Sequence, residues 1–190
     1  MKTCTLYLRP GNILNEVVKT EISRALKIIH IFETKESLSV NEDDVNSGVD
    51  LVISFLNERI IFGLALSKPN INFHPAPPWF PGRGGASLAI YKENKMHGAT
   101  AHKMVSKVDA GPIYDIKCFS IDEKDNCESI YNRSCLLCFD LLRDFIQKVV
   151  KKGEIPIPRS NYKWIGETIT KKMFNEWLLI KNDKEKRKIK

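Results

Sequence analysis

The chain has 190 residues, 43% of them hydrophobic, and a formal net charge of +7. That length buries one substantial core and is too short for two ordinary ones, so one compact domain with a short appendage is expected. No apolar run approaches the ~18 residues of a membrane span, and the opening residues alternate without the apolar stretch of a secretory leader, which predicts a soluble, cytoplasmic protein with reduced thiols.

Residues 3–8 alternate like a first strand, closed by Arg9-Pro10-Gly11. Asn12 or Asn15 is a candidate cap for a helix running through Val17, Val18, Ile22 and Leu26, an apolar recurrence near the helical period. Residues 27–32 read as a second strand, 41–48 as a loop or short helix, and 50–55 as a third strand, continuously apolar and hence buried on both faces. Residues 71–74 read as a fourth strand. The following segment, His74-Pro75-Ala76-Pro77-Pro78-Trp79-Phe80-Pro81-Gly82-Arg83-Gly84-Gly85, cannot be regular structure: its prolines fix φ while its glycines permit unusual conformations. It is a stiff loop with a specified path. A helix over 86–92, strands over 98–105 and 113–119, a long helix over 128–150, an extended linker over 153–158 and a last short helix over 170–179 complete the pattern. Together they predict an α/β fold, a Rossmann-like, mainly parallel sheet flanked by helices, with a short C-terminal helical extension. The division expected is 1–150 for the catalytic domain and 151–190 for the extension with its basic tail, which reads as solvated.

Such sheets carry ligands at the carboxyl ends of their strands, where the loops 55–61 and 74–85 fall. Asn72 and His74, two apart at a strand end, point to the same side of the backbone. An asparagine amide can stabilise a developing oxyanion, an imidazole can donate to the same oxygen and move a proton, and a carboxylate can fix the ring. Asp109, in Val108-Asp109-Ala110-Gly111-Pro112-Ile113, is the candidate carboxylate. These are parts for acyl transfer to an amine. Cys135-Leu136-Leu137-Cys138 has the spacing of half a zinc site but lies in an apolar helical segment with no second pair, so a buried helix face is expected. His30, His97 and His102 lack partners at ligand spacing, and no metal is expected.

Asn72-Phe73-His74-Pro75, the Pro/Gly-rich loop, Gly98-Ala99-Thr100-Ala101-His102-Lys103-Met104 and Val108-Asp109-Ala110-Gly111-Pro112-Ile113 form an ordered set that resembles the N10-formyltetrahydrofolate-dependent formyltransferase family. The resemblance covers most of residues 1–120. It implies an enzyme with a catalytic Asn72/His74/Asp109 triad that stabilises a tetrahedral oxyanion while an amine attacks the formyl carbon. It further implies that the donor, N10-formyltetrahydrofolate, is held by Leu56, Asn57, Arg59 and Ile61, largely through backbone groups, and faced by Ser106, Lys107 and Val108.

Within the family, fewer residues precede Asn72 than usual, the glycine-rich phosphate loop of the glycinamide-ribonucleotide enzymes is replaced by Arg9-Pro10-Gly11-Asn12, and nothing after Val150 is long enough for the C-terminal β domain of the tRNA enzymes. The loop and the segment 162–170 look more like the amino-sugar branch, which implies a nucleotide-linked amino sugar from surface-polysaccharide synthesis as acceptor. The alternatives are a glycinamide ribonucleotide formyltransferase and a folate- or nucleotide-binding protein with little turnover. Trp79 and Arg83 are candidate acceptor contacts, a stacking face and a phosphate fork, against packing and solvation as the plainer roles. Trp164 and Trp177 are expected as hydrophobic anchors. The partners expected are small molecules rather than membrane or nucleic acid, and a homodimer is compatible with the sequence.

Overall fold

The computed structural model describes residues 1–33, 42–158 and 161–188. Six strands, β1 (Lys2–Leu8), β2 (Leu26–Phe32), β3 (Leu51–Phe55), β4 (Asn70–His74), β5 (Met96–His102) and β6 (Ile113–Ser120), pair in the order β2-β1-β3-β4-β5-β6. The helices are α1 (Asn15–Ser23), α2 (Glu42–Ser47), α3 (Leu64–Ser67), α4 (Gly85–Tyr91), α5 (Cys127–Lys152) and α6 (Lys171–Lys188). β1 to β4 are parallel, while β5 runs antiparallel to both its neighbours. The sheet is therefore mainly parallel, as expected, with one reversed strand.

β3 is buried along its whole length because both faces of the sheet are covered there. Leu51, Ile53 and Phe55 join Leu6, Leu8, Ile22 and the buried stripe of α5 in the main core, while Val52 joins Tyr7, Val49, Ile61 and Ala65 on the opposite face. α5 carries the largest share of the cover. Its start is fixed by Asn126, whose side chain accepts from the Glu128 and Ser129 amides at 2.9 Å, while the Ser129 hydroxyl accepts from the Asn126 amide at 3.0 Å. Cys135 and Cys138 lie inside that apolar stripe, buried, with their thiol pKa values pushed up by burial.

The ends of α1, β5 and α6 and the cap of α1 differ from expectation. Leu26 opens β2 rather than closing α1, because the chain tightens after Ser23, with the Arg24 amide bonded to the Glu21 carbonyl and the Ala25 amide to the Ile22 carbonyl. Neither asparagine is the cap: Asn12 accepts from the Leu14 amide at 2.9 Å, and the Asn15 amide reaches back to the Arg9 carbonyl at 2.9 Å. β5 stops at His102 because the Lys103 amide turns to the Pro112 carbonyl and the Met104 amide to the Asn70 side chain. The last helix runs from Lys171 to Lys188, well beyond 179, a run rich in helix-forming Lys, Glu and Leu. The side chains of 180–190 lie outside the described residues, as does Asn41. No helix among the described residues is long and apolar enough to cross a membrane.

Two core residues make measurable contributions. Phe73 is fully buried between Phe55 and the edge of Phe145; Phe73→Ala is expected to lower unfolding free energy by about 3–5 kcal/mol in urea titration. His97 is fully buried between Phe80 and Phe119, with Nδ1 2.9 Å from the Ser134 hydroxyl. Burial, aided by the charge of His74, pushes its pKa down to about 4 from 6.5. The folded state then binds fewer protons than the unfolded chain between those values. This stabilisation is complete above pH 6.5 and lost as pH falls towards 4, a loss on the order of 3 kcal/mol. His97→Gln should flatten the stability curve across that window; a curve of unchanged slope would exclude His97 as the cause.

Candidate functional site

Asn72 and His74 leave the same face of β4, and the antiparallel pairing of β5 sets His102 opposite Asn72 and Thr100 opposite His74. Thr100 donates to the Ala76 carbonyl at 2.8 Å and so anchors the start of the proline loop. That loop turns at Pro77, whose carbonyl accepts from the Phe80 amide, and brings the Phe80 carbonyl to 3.2 Å from His74 Nε2. It then delivers the Gly82 amide to Asp109.

Asp109 adopts φ +45°, a left-handed conformation that aspartate tolerates better than most residues. Its Oδ2 accepts from the Gly82 amide at 2.8 Å and stands 3.4 Å from His74 Nδ1; its Oδ1 stands 3.2 Å from His102 Nε2. Asn72 Nδ2 lies 3.0 Å from the same His102 nitrogen, and His102 Nδ1 lies 2.9 Å from the Lys103 carbonyl. Burial by itself would raise the Asp109 pKa. The charge of His74, the hydrogen bond and charge of His102 and the Gly82 amide outweigh it and hold the carboxyl well below the usual range. His74 has an oxygen facing each ring nitrogen, Asp109 on one side and Phe80 on the other, and only the doubly protonated ring donates to both.

These groups form part of the wall of a cavity of about 500 Å³. Leu56, Asn57, Arg59, Ile61, Ser106, Lys107, Val108 and Arg83 line it too, so the expected donor loops and one expected acceptor contact converge with Asn72, His74 and Asp109. Asn57 is engaged with its own loop: it accepts from the Arg59 amide at 3.2 Å and donates to the Arg59 carbonyl at 3.0 Å, an arrangement that shapes the loop and leaves other backbone groups to a ligand. Trp79 is the exception. It does not line the cavity but packs against the cluster of Ala76, Phe80, Leu88 and Ala89 with Ile169 and Trp177, so the expected stacking face points into protein. Proline spacing signals a stiff loop but not which of its side chains turn outward.

His102 and the terminal segment are the site elements that sequence reasoning missed. Nothing in linear spacing reveals that His102 pairs across the sheet with Asn72. Trp164, expected as an anchor, lies edge-on to His102 at 4.9 Å and to His74 at 6.0 Å between ring centroids, with its indole N–H donating to the Gly111 carbonyl at 2.7 Å. Downstream, the Ile165 amide bonds to the Pro78 carbonyl, the Ile169 amide to Pro81, and the Arg83 amide to the Ile169 carbonyl, a strap that brings 168–171 into the cavity wall. Trp177 does serve as an anchor, against Tyr91 and Phe174. Among the described residues no group of three or more His, Cys, Asp or Glu side chains is placed to hold a metal ion.

Residues 34–137 match the formyl transferase family. Methionyl-tRNA formyltransferase of Staphylococcus aureus is 28% identical over 120 residues, which are 60% of this chain and 38% of that protein. The chain thus spans well under half the length of that curated relative. Among solved structures, the fold is similar to the formyltransferase PseJ from Anoxybacillus kamchatkensis, in complex with UDP-4,6-dideoxy-4-formamido-L-AltNAc and tetrahydrofolate (TM-score 0.69, 20% identity, 93% of this chain and 90% of that one). It is also similar to a 4-N formyltransferase from Francisella tularensis (TM-score 0.75, 15% identity, 92% of this chain and 78% of that one).

Gly82 tests the strap directly. At φ +88°, a Cβ there would lie 2.2 Å from the Ile169 carbonyl oxygen. Gly82→Ala is expected to speed amide hydrogen exchange at Arg83, Ile165 and Ile169 while leaving the amides of α5 protected. Equal exchange in the variant would mean the strap is held elsewhere.

Proposed function

The chain belongs to the formyl transferase family, and from that membership we propose that it transfers a formyl group from N10-formyltetrahydrofolate to the amine of a nucleotide-linked amino sugar. The observation that carries this reading is the buried Asp109 carboxylate shared by His74 and His102, with Asn72 on the same histidine, all at one cavity wall. The cavity suits the donor: its volume of about 500 Å³ lies within the range of ligand pockets, and Leu56, Ile61, Leu66 and Val105 offer apolar walls to a flat ring beside loop backbone groups. The donor supplies an activated formyl carbon; the chain supplies the electrostatics around it.

Asn72 would donate its amide N–H to the formyl oxygen as that oxygen gains negative charge. His74, its Nε2 turning from the Phe80 carbonyl, would donate to the same oxygen and pass on the proton shed by the attacking amine. Asp109 would hold both imidazoles in place, and His102 would hold Asn72 and Asp109 at their present separation. Residues 1–150 would then carry the chemistry, and 151–190 would complete the pocket through Trp164 and the strap. The choice of acceptor is supported by the His-Pro-Ala-Pro-Pro loop, by the basic character of the cavity lining, and by the fold shared with PseJ, whose described complex holds a UDP-linked formamido sugar.

The test incubates the protein with N10-formyltetrahydrofolate and a panel of amines and follows tetrahydrofolate release. Turnover is expected with a nucleotide-linked amino sugar and not with glycinamide ribonucleotide. Asn72→Ala, His74→Ala and Asp109→Ala should each lower kcat by about 10²–10³-fold with the circular dichroism unchanged. Folate binding without turnover of any amine would identify a binding protein instead, and near-normal rates in the three variants would remove the triad from the mechanism.

A further inference from the structure

Arg9 follows β1, Glu58 lies in the loop after β3, and Arg83 lies in the loop after β4, so three parallel strands deliver charge to one stretch of cavity wall. A single carboxylate spans both guanidinium groups. Arg9 Nη2 stands 3.0 Å from Glu58 Oε1, and Arg83 Nη1 stands 3.7 Å from Glu58 Oε2. Arg9 is braced from behind by α5: its other terminal nitrogen donates to the Tyr131 hydroxyl, and its guanidinium carbon lies 5.4 Å from the centre of that ring. Arg83 is held more loosely, at the longer distance and with 42% of its side chain exposed. The rest of the lining adds Arg59, Lys107 and Lys171, whereas the charge of Asp109 is enclosed by the two histidines and the Gly82 amide.

We propose that Arg9 and Arg83 are the jaws of a clamp for the phosphate or diphosphate of the acceptor, and that Glu58 is an internal counter-ion that this phosphate displaces. The assignment of the clamp to an acceptor rests on the formyl-transfer reading. Its physical basis is independent of that reading. Two guanidinium forks converging on one carboxylate are matched in geometry to phosphate oxygens, which accept from such forks in pairs. A diphosphate brings at least two negative charges to a place where Glu58 brings one, so exchange strengthens attraction to both arginines in a wall partly shielded from water. Glu58, a quarter exposed, can turn towards solvent when displaced, and until then it offsets the mutual repulsion of the arginines. An amine lacking phosphate cannot replace the carboxylate and finds the clamp closed. Glu58 thereby acts as a specificity determinant, favouring acceptors that carry phosphate over amines that do not.

The test measures binding of UDP and of inorganic pyrophosphate by calorimetry at low ionic strength, where no turnover is needed. The wild-type protein is expected to bind both, with affinity falling as salt rises. Arg9→Gln and Arg83→Gln should each weaken UDP binding tenfold or more. Glu58→Gln should tighten it by roughly fivefold, because a competing charge leaves while its shape stays. Glu58→Gln that weakens binding or leaves it unchanged would overturn the proposal, as would arginine variants that bind like wild type. If Arg9→Gln fails to fold, Arg83→Gln and Glu58→Gln decide alone. UDP and folinic acid should bind together; displacement of one by the other would assign the arginines to the folate's carboxylates and refute the clamp. Transfer to a nucleotide-linked amino sugar with UDP affinity indifferent to all three positions would remove the clamp and leave the proposed function intact. UDP binding with the predicted variant pattern but no transfer to any amine would do the reverse.

Discussion

The architecture around the cavity turns on one buried negative charge. A carboxylate withdrawn from water is costly unless it is surrounded by donors, and Asp109 draws its donors from three distant parts of the chain. His74 comes from the end of β4, His102 from the end of β5, and the Gly82 amide from the proline loop. Three of the fold's irregular choices serve these arrivals. The reversal of β5 brings His102 back alongside Asn72. The proline-rich path carries Gly82 over the top of His74, and the left-handed backbone at Asp109 turns its carboxylate inward.

What could be read from residues alone follows from which forces act locally. Continuous apolar runs located the central strands, since burial on both faces leaves a compositional mark that pairing partners do not alter. Asn72 and His74 were legible because their two-residue spacing shares a face whatever the rest of the sheet does. His102 was not, because its role depends on cross-strand register, which is written in the path of β5 and not in its neighbours. Trp79 shows the opposite failure. Its loop is irregular, as its prolines and glycines imply, yet the choice between facing ligand and facing core is made by α4 and the terminal segment, whose apolar groups receive it. The end of α1 was missed for a related reason: Leu26 continues the helical period in sequence but is claimed by pairing with Lys2 in the sheet.

The polar interior is divided into two regions with opposite logic. Around Asp109, charge is enclosed and compensated by groups that stand within hydrogen-bonding distance of one another, with Trp164 packed edge-on against both imidazoles. Along the Arg9, Glu58 and Arg83 wall, charge is partly wet and shared unequally, and the longer contact belongs to the more exposed arginine. The first region is built to keep its geometry. The second is built of groups whose partners can be exchanged at modest cost, since ion pairs with this degree of exposure are weakly held.

The strap from Trp164 to Lys171 also divides the site along the chain. Asn72, His74, His102 and Asp109 all precede α5, whereas Trp164 and Ile169 follow it. The later segment supplies the partners of the Arg83 amide and of the Pro78 and Pro81 carbonyls, and it covers one side of the two imidazoles. The charged network and the wall that shields it are thus written on opposite sides of α5, so a substitution in one leaves the residues of the other untouched.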